Sequence, residues 1–94
     1  MNKVFEALAH PTRRAILEML KSGSRTAGEL AEAFDVSKPT MSGHFAKLKE
    51  AGLIQADQRG TTIFYSLNLS VLEEVVLGFM GTISVGRRGK EKPE

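Results

Sequence analysis

The chain has no cysteine and no tryptophan, and only one tyrosine, three prolines and two histidines in 94 residues. Without thiols, disulfide staples, thiolate metal sites and thiol nucleophiles are all excluded. No apolar run approaches the roughly 18 to 20 residues that cross a bilayer, and the opening residues lack the blocks of a secretion signal, so a cytoplasmic home is expected. Neither sign of charge dominates, since 13 Lys and Arg stand against 11 Asp and Glu. Local balance says more: residues 1–36 sum to zero, 37–65 to +2, 66–86 to −2 and 87–94 to +2. The mild basic excess in the middle and at the end hints at an anionic partner such as nucleic acid. What is present is the composition of an ordinary globular domain, 41% apolar. A single domain this short buries only about 60 to 65% of its unfolded surface, so association with a second copy would stabilise it.

Apolar spacing organises the chain. Val4, Phe5 and Leu8 mark one face of a short first helix that stops near His10-Pro11. Pro11 opens a second helix at no cost in hydrogen bonds, and Ile16, Leu17 and Leu20 form its stripe before "KSGS" ends it. A third helix starts at Thr26, where "TAGE" reads as a capping box and Leu30 and Phe34 supply the buried side. A turn at Asp35-Val36 follows. Ser37 is then an N-cap candidate, Pro39 is tolerated in the first turn, and a fourth helix is expected from Lys38 to about Ala51.

On that fourth helix Met41, Phe45 and Leu48 share one face at i, i+4 and i+7. The opposite side carries Thr40, Gly43 and Lys47, flanked by Ser42 and Pro39, with Lys38 at the start and His44 at the boundary. Two helices joined by a short turn, the second presenting small polar and basic groups near its start, have the geometry that enters a DNA major groove. In such a pair Ala31 allows close approach, and Val36 and Met41 are expected to plug the angle.

Residues 54–67, "IQADQRGTTIFYSL", hold two β-type runs broken by Arg59-Gly60. They read as a hairpin wing with an arginine at its tip, placed to reach a phosphate or a narrow minor groove. The last helix, from Ser70 to about Val85, is apolar nearly all round through Leu72, Val75, Val76, Phe79, Met80 and Ile83. So wide a surface predicts a twofold homodimer interface shared with Val4, Phe5 and Leu8 of the first helix. The domain is thus expected over residues 1–86, mostly α with a β-hairpin wing in the order α-α-α-α-β-β-α, followed by a disordered basic tail over 87–94.

The segments "ALAHPTRRAILEML", "TAGELAEAFDVSKPTMSGHFAKLKEAGLI" and "RGTTIFYSL" resemble, in that order, the ArsR/SmtB family of bacterial winged-helix repressors. The resemblance covers most of residues 1–67, and the "VF…A…PTRR.IL" opening is most similar to a metal-free branch of autorepressors. It implies a homodimer bound to double-stranded DNA at an inverted-repeat operator near its own promoter. By position it assigns the groove-facing role to Lys38, Thr40, Ser42 and His44 and the wing contact to Arg59. Two residues depart from the family pattern. Gly43 stands where many relatives carry a long polar or basic side chain, and His10 stands where Asp often caps the second helix. For this branch the resemblance also implies release by a membrane-bound anti-repressor.

The full DNA-facing set expected is therefore Ser37, Lys38, Thr40, Ser42, Gly43, His44, Lys47 and Arg59. No cofactor is expected. The third helix offers no thiolate and the last one only Glu73 and Glu74, while His10 and His44 belong to separate elements whose spacing does not make them a pair. Catalysis has no support either: Ser42 and His44 point in different directions on one helix, and no glycine-rich phosphate loop is present. The remaining alternative is a winged-helix module for protein contacts alone, against which Lys38, Lys47 and Arg59 preserve a basic face.

Overall fold

Pro11 sets the first corner of the chain. It starts α2 (Pro11–Leu20) directly after α1 (Asn2–Leu8), and the computed structural model describes the backbone of residues 2–91 and the side chains of residues 2–83. The last carbonyls of α1 would be orphaned at this corner. Arginines from α2 take them up: Arg13 donates from Nε to the Ala7 carbonyl at 2.8 Å and from Nη2 to that of Glu6 at 3.0 Å, and Arg14 donates to that of Leu8 at 2.6 Å. At the other side of the corner the His10 ring accepts from the Thr12 N–H through Nδ1 at 3.1 Å, so histidine does cap α2 in place of aspartate.

The capping box that "TAGE" predicts is present at the start of α3 (Ala27–Glu32). Glu29 N–H donates to Thr26 Oγ1 at 3.0 Å, and Thr26 N–H donates to Glu29 Oε1 at 2.9 Å. Five residues link α3 to α4 (Lys38–Glu50), whose end is a Schellman turn: Gly52 N–H bonds to the Lys49 carbonyl and Leu53 N–H to that of Leu48, with Gly52 at φ +76°. That turn aims the chain straight into the wing.

The wing pairs β2 (Ile54–Arg59) with β3 (Thr62–Leu67) in one unbroken antiparallel register from Ile54 opposite Leu67 to Arg59 opposite Thr62. Gly60 and Thr61 make the turn, and Gly60 takes the positive φ of +63° that a two-residue hairpin loop requires. A third strand, β1 (Arg25–Thr26), lies on the other side of β3 and makes the sheet order β1-β3-β2. The expected order lacked this strand. Two residues are too few for alternation to show, and the pairing of Arg25 with Tyr65 and Thr26 with Phe64 is dictated by β3.

The core gathers Val4 and Ala7 of α1, Ile16, Leu17 and Leu20 of α2, Leu30, and Met41, Phe45 and Leu48 of α4, closed by Leu53, Ile54 and Tyr65. Phe45 stacks on Tyr65 with ring centroids 4.6 Å apart. Burial pushes the Tyr65 phenol up from its ordinary value, so it stays neutral across physiological pH. Two expectations fail here. Val4 belongs to this core rather than to an interface, and Val36 is 40% exposed, leaving Met41 alone to fill the angle between α3 and α4. The link is longer than a tight turn, so Val36 sits outside the angle.

The last helix, α5 (Leu69–Glu91), lays Val71, Leu72 and Val75 on the core. Its helical backbone passes the boundary expected at residue 86 and runs to Glu91, with no proline to stop it before Pro93. Residues 92–94 of the expected tail lie outside the described residues.

Candidate nucleic-acid interface

Four residues of α4, Met41, His44, Phe45 and Leu48, are buried, and they define which side of the helix is left for a partner. The outer side carries Ser37, Lys38, Pro39, Thr40, Ser42, Gly43, Ala46 and Lys47, all exposed. At Gly43 an added Cβ would meet nothing within 4 Å, so the backbone there is open to a close neighbour. The face is bare at its middle, polar at its start and basic at its edges. A surface of that kind lets a helix approach base edges closely while lysines flank it.

Ser37 organises the start of the helix. Its Oγ accepts from the Thr40 N–H at 3.3 Å and donates to Thr40 Oγ1 at 2.8 Å, which leaves the Thr40 hydroxyl proton free to point outward. Ser42 and Lys38 stand toward α3, where with Ala27, Gly28, Ala31, Met41 and Phe45 they line a shallow groove of about 210 Å³.

On the wing, Arg59 is the last residue of β2 and is held in place. Its Nε and Nη2 both lie 3.0 Å from Asp57 Oδ2, and its guanidinium covers the Phe64 ring at 4.8 Å from the centroid. Both partners of that ion pair are mostly exposed, which limits its worth to about 0 to 1 kcal/mol. A phosphate can therefore compete with Asp57 for Arg59, whose guanidinium keeps the Phe64 ring as a second support.

His44 departs from the expected set. It is 7% exposed and lies in the core, where Nδ1 is 3.1 Å from Arg13 Nη1 and its ring centroid is 4.5 Å from that of His10. The angular projection put His44 at the edge of the buried arc, and the α1–α2 corner covers that edge. The two histidines that spacing did not join are thus neighbours in space. Desolvation first, then the charges of His10 and Arg13, hold the His44 pKa below its ordinary value. Arg13 itself escaped notice in the sequence. The signal was there: Arg13, Ile16, Leu17 and Leu20 are spaced i, i+3, i+4 and i+7, placing the arginine on the buried stripe of α2. Ala46 was likewise passed over on the outer face of α4 because it carries no polar group.

A helix pair joined by a short link, α3 and α4, followed directly by the hairpin wing of a three-stranded sheet defines the winged helix-turn-helix class of DNA-binding regulators. A family profile for a helix-turn-helix domain matches residues 8–55. The transcriptional repressor SdpR of Bacillus subtilis is 45% identical over 86 residues, covering 92% of this chain and 96% of that one. The arsenic resistance transcriptional regulator ArsR1 of Pseudomonas putida is 32% identical over 85 residues, covering 89% and 66%. Among solved structures, an ArsR family transcriptional regulator superposes with a TM-score of 0.84 at 30% identity, covering 92% of this chain and 94% of that chain. The chain belongs to the ArsR/SmtB family of helix-turn-helix transcriptional regulators.

Proposed function

We propose that the protein is a homodimeric repressor that reads an inverted-repeat operator near its own promoter, works in the cytoplasm, and responds to a protein signal rather than to a metal ion. The observation that carries this reading is the outer face of α4, open at Gly43, with Thr40 and Ser42 exposed near the helix start and Lys38 and Lys47 at its edges. Lys38, Lys47 and Arg59 neutralise phosphates, and Ser37 sets the helix start, so that Thr40 and Ser42 meet base edges in the major groove. Phe5 meets Phe79 where α1 approaches α5, Leu8, Leu72 and Val75 rest on the core, and the exposed Val76, Met80 and Ile83 extend that surface toward a second copy.

Metalloid sensing does not suit these side chains. The α3 segment "AGELAE" contains no thiolate, and among the described residues no three His, Asp or Glu groups converge as a metal site would need. Release by a membrane-bound anti-repressor is what the resemblance of the opening segment to the metal-free branch implies. No helix among the described residues is long and apolar enough to cross a membrane, so such a partner would supply the membrane segment itself.

Sequencing the DNA fragments that the purified protein retains identifies an operator, and two classes of variant then separate the roles of its residues. Arg59→Ala is expected to weaken operator and random DNA alike and to lower the slope of log affinity against log salt by about one unit, as for one lost phosphate contact. Thr40→Ala and Ser42→Ala are expected to reduce preference for the operator by roughly 1 to 3 kcal/mol per contact with little change in salt slope. Retention of no particular fragment, or equal behaviour of the two classes, overturns the reading.

A further inference from the structure

We propose that Arg13 and His44 form a clasp that positions the recognition helix: one guanidinium joins the end of α1, the body of α2 and the middle of α4, and it does so only while His44 is uncharged. That the helix so held is the one that meets DNA rests on the reading above; the clasp itself does not.

The chemistry follows from what each group can donate. A guanidinium carries five N–H donors and no acceptor. Arg13 uses Nε on the Ala7 carbonyl and Nη2 on the Glu6 carbonyl, and Nη1 points at His44 Nδ1 from 3.1 Å. The third contact is a hydrogen bond only if Nδ1 holds a lone pair, which puts the single ring proton of His44 on Nε2. A second proton would place an N–H against an N–H and one positive charge about 3 Å from another. The two carbonyl contacts would survive it. What would be lost is the limb that reaches α4.

Nothing packed around His44 compensates a positive charge. From α2 and its cap come Arg13 and His10, both cationic or able to become so. α1 contributes backbone carbonyls that Arg13 already occupies, and the ion pairs found among the described residues, Lys21 with Glu18 and Arg59 with Asp57, lie elsewhere. On α4 itself the neighbours on the buried face are Met41, Phe45 and Leu48. His44 titrates below its ordinary 6.5 because it is desolvated and faces His10 and Arg13. The sign is then fixed. A basic group whose folded pKa is depressed takes up protons more readily when unfolded, so its contribution is fully present above about pH 6.5 and is lost as pH falls below that. Acidification loosens α4 before it unfolds the domain, since the other residues that α4 buries, Met41, Phe45 and Leu48, carry no titratable group.

The test compares wild type, His44→Gln, whose amide oxygen accepts from Arg13 at any pH, and His10→Asn, which keeps a cap on α2 but removes the neighbouring imidazole. Hydrogen exchange without DNA, corrected for intrinsic rates, is read at pH 7.5 and 5.5. In wild type the amides of α4 are expected to lose protection relative to those of β2 and β3, by up to about tenfold, the ceiling set by a pH one unit below the ordinary 6.5 of a histidine. His44→Gln should lose none, and His10→Asn less than wild type. Arg13→Lys, whose single ammonium cannot span all three acceptors, should show the loosened α4 already at pH 7.5 if His44→Gln fails to fold. Equal change in wild type and His44→Gln, or an α4 indifferent to both pH and Arg13→Lys, overturns the clasp. The operator fragment retained by wild type at pH 7.5 is then titrated in parallel, and its affinity is expected to fall, by up to the same factor, by pH 5.5 for wild type and not for His44→Gln. Loosening of α4 without loss of DNA affinity upholds the clasp and overturns the placement of α4 in the groove.

Discussion

Gly43 and His44 are adjacent and have opposite fates, one facing empty space and the other buried against Arg13. A step of 100° per residue is enough to separate them. The core side of α4 was legible because Met41, Phe45 and Leu48 are unambiguously apolar, whereas a histidine at the border of that arc carries no preference that settles its side. Only the corner made by α1 and α2 decides it, and that corner is tertiary. Gly43 allows a direct check of the outer face. Gly43→Arg is expected to raise affinity for random DNA through an added cation near the phosphates, and to stabilise the helix by up to about 1 kcal/mol through better propensity. Gly43→Ala should stabilise the fold by a similar amount without that gain in DNA affinity. Fluorescence anisotropy with random duplex separates the two, and identical curves for wild type and Gly43→Arg would place position 43 away from DNA.

Among the helices, α3 is the one least able to stand alone. Six residues lie far below the roughly 12 to 15 at which an isolated helix becomes marginal. Its persistence depends on Leu30, which is fully buried, and on the reciprocal bonds of Thr26 and Glu29. Thr26 has a second duty as the last residue of β1, opposite Phe64 on β3, so the cap also sets how α3 leaves the sheet. The capping box was legible from four letters because its chemistry is local. The strand that precedes it was not, since its pairing partner lies almost forty residues away. Thr26→Ala is expected to lower unfolding free energy by about 1 kcal/mol in urea denaturation, the usual cost of a lost cap. Thr26→Ser should recover most of it. Equal stability of all three proteins would mean that packing of Leu30 alone holds the helix.

At the scale of the whole molecule the shape is the clue. The radius of gyration is 16.4 Å, whereas a compact domain of this length has one of about 12 Å. The excess comes with α5, whose Val76, Leu77, Phe79, Met80 and Ile83 are all exposed while only Val71, Leu72 and Val75 rest on the core. The apolar surplus of this helix was legible in the sequence. Its neighbour α1 was legible too, but not which of its residues face outward: Val4 turns inward and leaves Phe5, in edge-on contact with Phe79 at 5.2 Å, as the large exposed hydrophobic side chain of α1. A second copy covering Phe5, Phe79 and Met80 would bury this surface and set two α4 helices apart by a fixed distance, as two half-sites require. Phe79→Glu places a charge in the middle of that patch while disturbing little of the core, since Phe79 is 42% exposed within one chain. It is expected to sediment as a monomer, to unfold at a midpoint that no longer rises with protein concentration, and to bind a full operator no better than a half-site. Met80→Glu, one residue further along the same exposed surface, should behave alike. Two variants that sediment as wild type does, with operator affinity intact, would show that α5 is covered by something other than a second copy.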